Sequence, residues 1–229
     1  MIFLELTVTV MLKKDIFFAE SGYIIGKNIN KAMLLDEDLK TLHPRREYKY
    51  YVFNSFYPLE KNKTYIKGRV YVFKIRGLDC KYIEKFARCL QKLESYDFEV
   101  ISVATSEVKQ KHINKLYSIT PIIITKDNKP WLQGDDVEEF KKRLEANMEK
   151  KYKNFFGEDI DVQGKFIKSL EFKNKLPMYF RYKGIKLLGN KVNIEIQENN
   201  IAQKMAFVAM AIGIGEKNSS VGAGYCTVN

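Results

Sequence analysis

The 229-residue chain is 45% hydrophobic and 29% charged, an ordinary globular balance that excludes a disordered or fibrous protein and allows one large domain or two of roughly 100 residues. Lys and Arg outnumber Asp and Glu by 39 to 28, a net charge of +11 that favours a polyanionic partner, nucleic acid first and an anionic membrane surface second. The opening residues lack a basic leader, the longest apolar run (Met205 to Gly215) is too short for a bilayer, and three cysteines with two histidines in no ligand spacing indicate neither a disulfide framework nor a metal site. The expectation is a cytoplasmic protein with no membrane association, no metal and no cofactor.

Leu4, Leu6, Val8 and Val10 alternate with Glu5, Thr7 and Thr9, the period-two pattern of a strand with one buried face. From Lys27 to His43 the apolar residues fall three or four apart, which predicts a helix broken near Asp36, a residue able to cap the second piece. Tyr48 to Phe56 and Arg69 to Ile75 are aromatic and β-branched, two strands joined across the charged stretch Leu59 to Gly68. Asp79 caps a helix with Ile83, Phe86, Leu90 and Leu93 on one face, and Phe98 to Val103 returns to strand character. The order βαββαβ is that of a ferredoxin-like unit.

A polar stretch from Thr105 to Lys115 then separates two units, residues 1–110 and 111–229. The second starts with a strand at Pro121 to Thr125 and a helix carrying Val137, Phe140, Leu144 and Met148 behind Asp135 and Asp136. Strands at Phe166 to Phe172, Met178 to Tyr182 and Val192 to Ile196 follow, then an apolar helix from Ile201 to Ile212 and a last strand near Tyr225. The fold class is α+β, two tandem ferredoxin-like (RRM-like) units, each an antiparallel sheet with helices on one face. Lys141, Lys142, Arg143, Lys150 and Lys151 read as a solvated basic helix face, and His112 as a solvated residue between the units.

Between the last helix and the last strand lie Gly213, Gly215, Gly222 and Gly224, with Lys217 among them. The spacing is not that of a nucleotide-binding P-loop, since Asn218 follows the lysine. Two readings fit the residues: a flexible connection, or a loop whose backbone N–H groups cradle phosphate oxygens. His43 likewise fits either a helix-end histidine beside the macrodipole or an acid/base group flanked by Arg45, Arg46 and Lys49.

A helix followed by Gly-x-Gly-x-Lys-x-x-x-x-Gly-x-Gly resembles the C-terminal glycine-rich loop of the CRISPR-associated Cas6 endoribonucleases. Shorter matches at Tyr182 to Gly184, Leu188-Gly189, Ser118 to Ile122 and His43 to Pro58 extend the resemblance over most of the chain. It implies a metal-independent endoribonuclease that cuts CRISPR repeat RNA to produce guide RNAs. It also implies a catalytic set in which a histidine after the first helix and a lysine early in the next strand correspond to His43 and Lys49. The family's helix tyrosine falls on Asn28 here, leaving Tyr23 or Tyr50 as the alternative phenol. Arg45, Arg46, Lys204, Lys217 and the four tail glycines are the implied RNA-binding residues. The expected partners are repeat RNA and a CRISPR effector complex, with the protein a monomer or homodimer. The competing reading is a non-catalytic RNA-binding subunit of an effector complex.

Overall fold

The computed structural model describes residues 1–42, 48–132 and 136–228. In the first half, β1 (Ile2–Leu12) is followed by β2 (Ile16–Phe17), α1 (Ser21–Met33), α2 (Glu37–Leu42) and β3 (Tyr51–Phe53). Next come β4 (Thr64–Tyr65), β5 (Val70–Gly77), α3 (Cys80–Gln91) and β6 (Phe98–Lys109). The antiparallel sheet has the order β3-β5-β1-β6, with β1 pairing β5 on one side and β6 on the other. Leu4, Leu6, Val8 and Val10, together with Phe73 and Ile75, pack beneath Ile25 and Ile29 of α1 and Ile83 and Phe86 of α3.

The second half runs β7 (Lys115–Ser118), β8 (Thr125–Lys126), β9 (Lys129–Pro130), α4 (Val137–Phe156) and β10 (Ile167–Phe172). It continues through β11 (Met178–Tyr182), β12 (Ile185–Gly189), β13 (Val192–Ile196), α5 (Asn200–Ile212), α6 (Asn218–Val221) and β14 (Cys226–Thr227). Its sheet has the order β10-β13-β7-β14, the same ferredoxin-like arrangement as the first, with β11 and β12 inserted as a hairpin. Among the described residues no helix is long and apolar enough to cross a membrane.

One end of the outer face of the first sheet is covered by the second unit. Phe3 belongs to the second unit's core and its ring lies 5.0 Å from that of Phe207 on α5. Beside it, buried Arg76 pairs with Glu5 at 2.6 Å, donates to the Cys226 carbonyl at 2.6 Å and stacks 4.2 Å over the Tyr225 ring. Burial disfavours the Glu5 carboxylate, but Arg76 and Lys74 outweigh it and hold its pKa below the usual range.

Several element bounds differ from those the sequence predicts. α1 begins at Ser21 rather than Lys27, because the chain enters it through a 3-10 turn, Phe18 to Glu20, with no side-chain cap to mark the start. Asp36 does cap α2, accepting from the backbone N–H groups of Asp38 and Leu39. β3 is only three residues long: Tyr50 has φ +44°, so Lys49 precedes the strand instead of lying in it. β6 continues through Thr105 to Lys109, where a polar linker was expected, because an exposed edge strand needs no apolar alternation. The second unit's first strand is β7. Ile122, Ile123 and Ile124 are all buried, and Ile122 and Ile123 make single bridges to Asn190 and Glu216 in place of a ladder.

Candidate active site

The glycine-rich segment after α5 is a buried strap. The Ile214 N–H donates to the Gly224 carbonyl at 3.0 Å, the Gly224 N–H to Pro121 at 2.9 Å and the Glu216 N–H to Ile123 at 2.9 Å. Glycine is required where the strap meets the rest of the protein. A Cβ on Gly224 would lie 1.9 Å from the Ile214 oxygen, and one on Gly222 2.3 Å from the Phe53 oxygen. The N–H groups of Gly213, Gly222 and Gly224 are already bonded to Ala209, Asn218 and Pro121 carbonyls. In this structure the backbone donors of these three glycines are taken by the fold rather than directed toward a phosphate. The side that reaches solvent is Lys217, exposed and in the left-handed region at φ +60°, with half-buried Ser219 and Ser220.

α1 makes room for the strap. Gly22 and Gly26, one turn apart, leave a flat face against which the carbonyls of Val221 and Ser220 lie, each within 2.5 Å of where a Cβ would stand. Two glycines four apart in a helix were the available sequence signal for this docking face.

Lys217, Ser219 and Ser220 line one wall of a cleft of about 230 Å³, and Tyr48, Lys49 and Tyr50 line it from the first unit. Desolvation lowers the pKa of the Lys49 ammonium, an effect that a phosphate placed beside it would oppose. Desolvation, then the Glu216 carboxylate, raise the Tyr48 phenol above its ordinary value. The Tyr50 ring packs edge-on against Phe155 at 4.8 Å. Buried Tyr51 donates to the Ser219 carbonyl at 3.3 Å, tying β3 to the strap.

α4 forms the cleft's base, and here the structure corrects the reading of a solvated lysine face. Lys151 is only 2% exposed and donates to the Gly213 carbonyl at 2.9 Å, the Gly215 carbonyl at 2.8 Å and Asn218 Oδ1 at 2.7 Å. Burial pulls its pKa down to about 7. The signal was present: Phe140, Leu144 and Met148 extend at helical spacing to Lys151 and Tyr152, so Lys151 belongs to the apolar stripe.

The other predicted site residues are dispersed. His43, Arg45 and Arg46 lie outside the described residues, as does Asp135. Tyr23 is in α1, not before it, and meets Tyr182 edge-on at 5.6 Å in a separate depression of about 570 Å³ lined by Lys14, Lys27, Arg181, Lys183 and Lys186. The structure does not bring it together with Lys49. Asn28, where the family's helix tyrosine was sought, is buried and donates to Asp97 at 2.7 Å, so it faces the seam between α1 and β6. Lys204 is exposed on α5 and does not line the cleft, and exposed His112 interacts with Asn114.

Two tandem ferredoxin-like units closed by a docked glycine-rich strap define the fold class, and comparisons with known proteins agree. A family model described as CRISPR associated protein Cas6, C-terminal, matches residues 103–228. The CRISPR-associated endoribonuclease Cas6 2 of Methanocaldococcus jannaschii is 24% identical over 238 residues, covering 94% of this chain and 96% of that protein. Among solved structures, a CRISPR associated protein Cas6 aligns with a TM-score of 0.74 at 18% identity, covering 99% of both chains. A RAMP protein binding different RNA substrates aligns with a TM-score of 0.76 at 16% identity, also covering 99% of both. The chain belongs to the CRISPR-associated Cas6 family.

Proposed function

We propose that this Cas6-family endoribonuclease cuts CRISPR repeat RNA within the cleft between Lys49 and the strap, releasing guide RNAs. The observation that carries the reading is that Lys49 and Lys217, far apart in sequence and contributed by different units, line one cleft. The first unit, residues 1–110, supplies His43 and Lys49; the second, residues 111–229, supplies the strap.

The reaction is transesterification. The RNA 2′-oxygen bonds to the adjacent phosphorus while the bond from phosphorus to the 5′-oxygen breaks, leaving a 2′,3′-cyclic phosphate and a 5′-hydroxyl. One proton leaves the 2′-hydroxyl and one reaches the departing 5′-oxygen, so the step balances without metal or water. His43 carries one of these transfers. Lys49, half-buried in the cleft, would stabilise the charge that develops on the phosphorane. Tyr50 lines the same cleft and is better placed than Tyr23 for a phenol's part.

The position of Tyr23 and the burial of Asn28 favour a second reading, a protein that holds repeat RNA without cutting it. Incubating purified protein with repeat RNA in EDTA separates the two. Wild type is expected to cut once near the 3′ side of the repeat, leaving a cyclic phosphate, and His43→Ala to be slower by about 100- to 10,000-fold. A 2′-deoxy residue at the cut site should block cleavage and leave binding intact. Unchanged cleavage by His43→Ala would remove the histidine from the mechanism, whereas tight binding with no cleavage by wild type would establish the second reading.

A further inference from the structure

We propose that Lys151 is a positioning residue for RNA cleavage, whose charged ammonium sets the distance between the strap and Lys49. This inference rests on the endoribonuclease reading and assigns a role to a residue of α4, an element that supplies none of the expected catalytic groups.

The geometry is that of a clamp. Gly213 is the C-cap of α5, so its carbonyl belongs to the negative end of that helix, where a cation is favoured and where terminal carbonyls otherwise lack donors. Lys151 donates to that carbonyl, then to Gly215 two residues further along the strap, and to Asn218 Oδ1. Asn218 continues the contact through its amide, which donates to Ile214 at 3.2 Å and Ala223 at 2.7 Å. One ammonium therefore fixes the outgoing limb of the strap directly and the returning limb through Asn218. Lys217, Ser219 and Ser220, the part of the strap that reaches the cleft, are suspended between these fixed points.

Three acceptors meet three ammonium protons. A neutral amine has two protons and a lone pair, so on deprotonation one acceptor loses its donor and a carbonyl faces the lone pair. The titratable groups acting on Lys151 are Glu216 of the strap and Cys226 of β14; across the cleft are Tyr48, Lys49, Tyr50 and Lys217. Burial pushes the Cys226 thiol up to about 12, so it is uncharged near neutral pH, and Glu216 is engaged with the Thr125 N–H and hydroxyl at 3.0 and 2.9 Å. Burial also pulls the Lys151 ammonium down to about 7, which places loss of the clamp within the range where cleavage is measured.

The test compares wild type, Lys151→Met and Lys151→Arg by single-turnover cleavage of repeat RNA from about pH 6 to about pH 9. Methionine fills the same space without a donor. Because displacement of a positioning element by about 1 Å can cost on the order of 100-fold, Lys151→Met should be slower by about 10- to 100-fold at the acid end. The deficit should shrink as pH rises and wild type loses its own clamp, and Lys151→Arg should retain part of the rate. A wild-type measurement makes the inference independent of any variant's folding: amide exchange across residues 213–224, corrected for intrinsic rate, should depend on pH between the same limits, because opening the strap changes the proton affinity of Lys151. A rate ratio between wild type and Lys151→Met that is constant with pH, or exchange that is insensitive to pH, would overturn the inference. Failure of the endoribonuclease reading is distinguishable, because wild type itself would then leave the RNA uncut at every pH.

Discussion

Gly22→Ala separates the docking argument from ordinary helix energetics because the two predict opposite signs. In an exposed helix interior, replacing glycine by alanine stabilises by about 1 kcal/mol. Gly22 lies in the first turn and a half of α1, so propensity alone gives a more stable variant. The new methyl, however, would stand 2.2 Å from the Val221 carbonyl oxygen and 3.3 Å from the Phe180 ring. A carbon and an oxygen cannot approach so closely, and the obstruction is backbone, which cannot rotate away as a side chain can. The helix or the strap must move by about 1 Å, and overpacking of this kind costs roughly 1–3 kcal/mol or more. After subtraction of the propensity gain, the net loss is on the order of 1–2 kcal/mol.

For a chain of this length that corresponds to a fall in Tm of roughly 2–8 °C. Thermal denaturation followed by circular dichroism reads it directly, and single-turnover cleavage by the same preparation should fall because the displaced strap is the cleft's second wall. A Tm above that of wild type would refute the docking of α1 on the strap.

Arg76→Met leaves buried Glu5 with Lys74 as its one remaining cation partner, beside the Tyr225 hydroxyl, and should destabilise by about 3–5 kcal/mol in urea titrations, the usual result of removing one member of a buried pair. The Glu5 pKa is depressed in the folded state, so its contribution is present above the ordinary carboxylate range and is lost as pH falls through the folded value; Glu5→Gln should flatten that acid limb. For Lys151 the sign is opposite at the alkaline end. The unfolded chain holds this proton up to about 10.5 and the folded chain only to about 7, so wild-type stability should rise with pH across that window, and the rise should be smaller in Lys151→Met. Tyr23→Phe should leave the cleavage rate within about 2-fold, since a general acid–base role would cost about 100-fold or more. Lys217→Ala should reduce the slope of log Kd against log salt by about 1 if its ammonium meets a phosphate, and an unchanged slope would remove it from the interface.

The order of elements was legible because it rests on periodicity: Leu4 to Val10 alternates, and Ile83, Phe86 and Leu90 recur at helical spacing, and both patterns survive tertiary context. What failed depended on contacts between distant segments. The start of α1 has no cap residue, β3 is cut short by the backbone of Tyr50, and the run Ile122 to Ile124 is apolar because the strap covers it, not because it is a strand. The site was legible in part. Lys49 and the tail were found as motifs, whereas Lys151 was grouped with the charged residues around it although its spacing from Met148 marks it as buried.

The glycine pattern that resembles the family and the chemistry that the family implies sit on different atoms. Each glycine for which a close approach is seen faces this protein's own backbone or core: Gly22 and Gly26 face the strap, Gly222 faces β3, and Gly224 faces Ile214. A strap closed on itself by such contacts has few conformations available, so Lys217 and the two serines reach the cleft at little further cost in conformational entropy when RNA binds. Under the proposed function the glycines act on RNA at one remove. Their substitution should weaken binding through displacement of the strap while leaving its salt dependence intact, in contrast to Lys217, whose contribution is a charge. A glycine variant that reduced the salt slope as Lys217→Ala does would place the strap's backbone against phosphate after all, and would require that N–H groups now bonded to Ala209, Asn218 and Pro121 be released on binding.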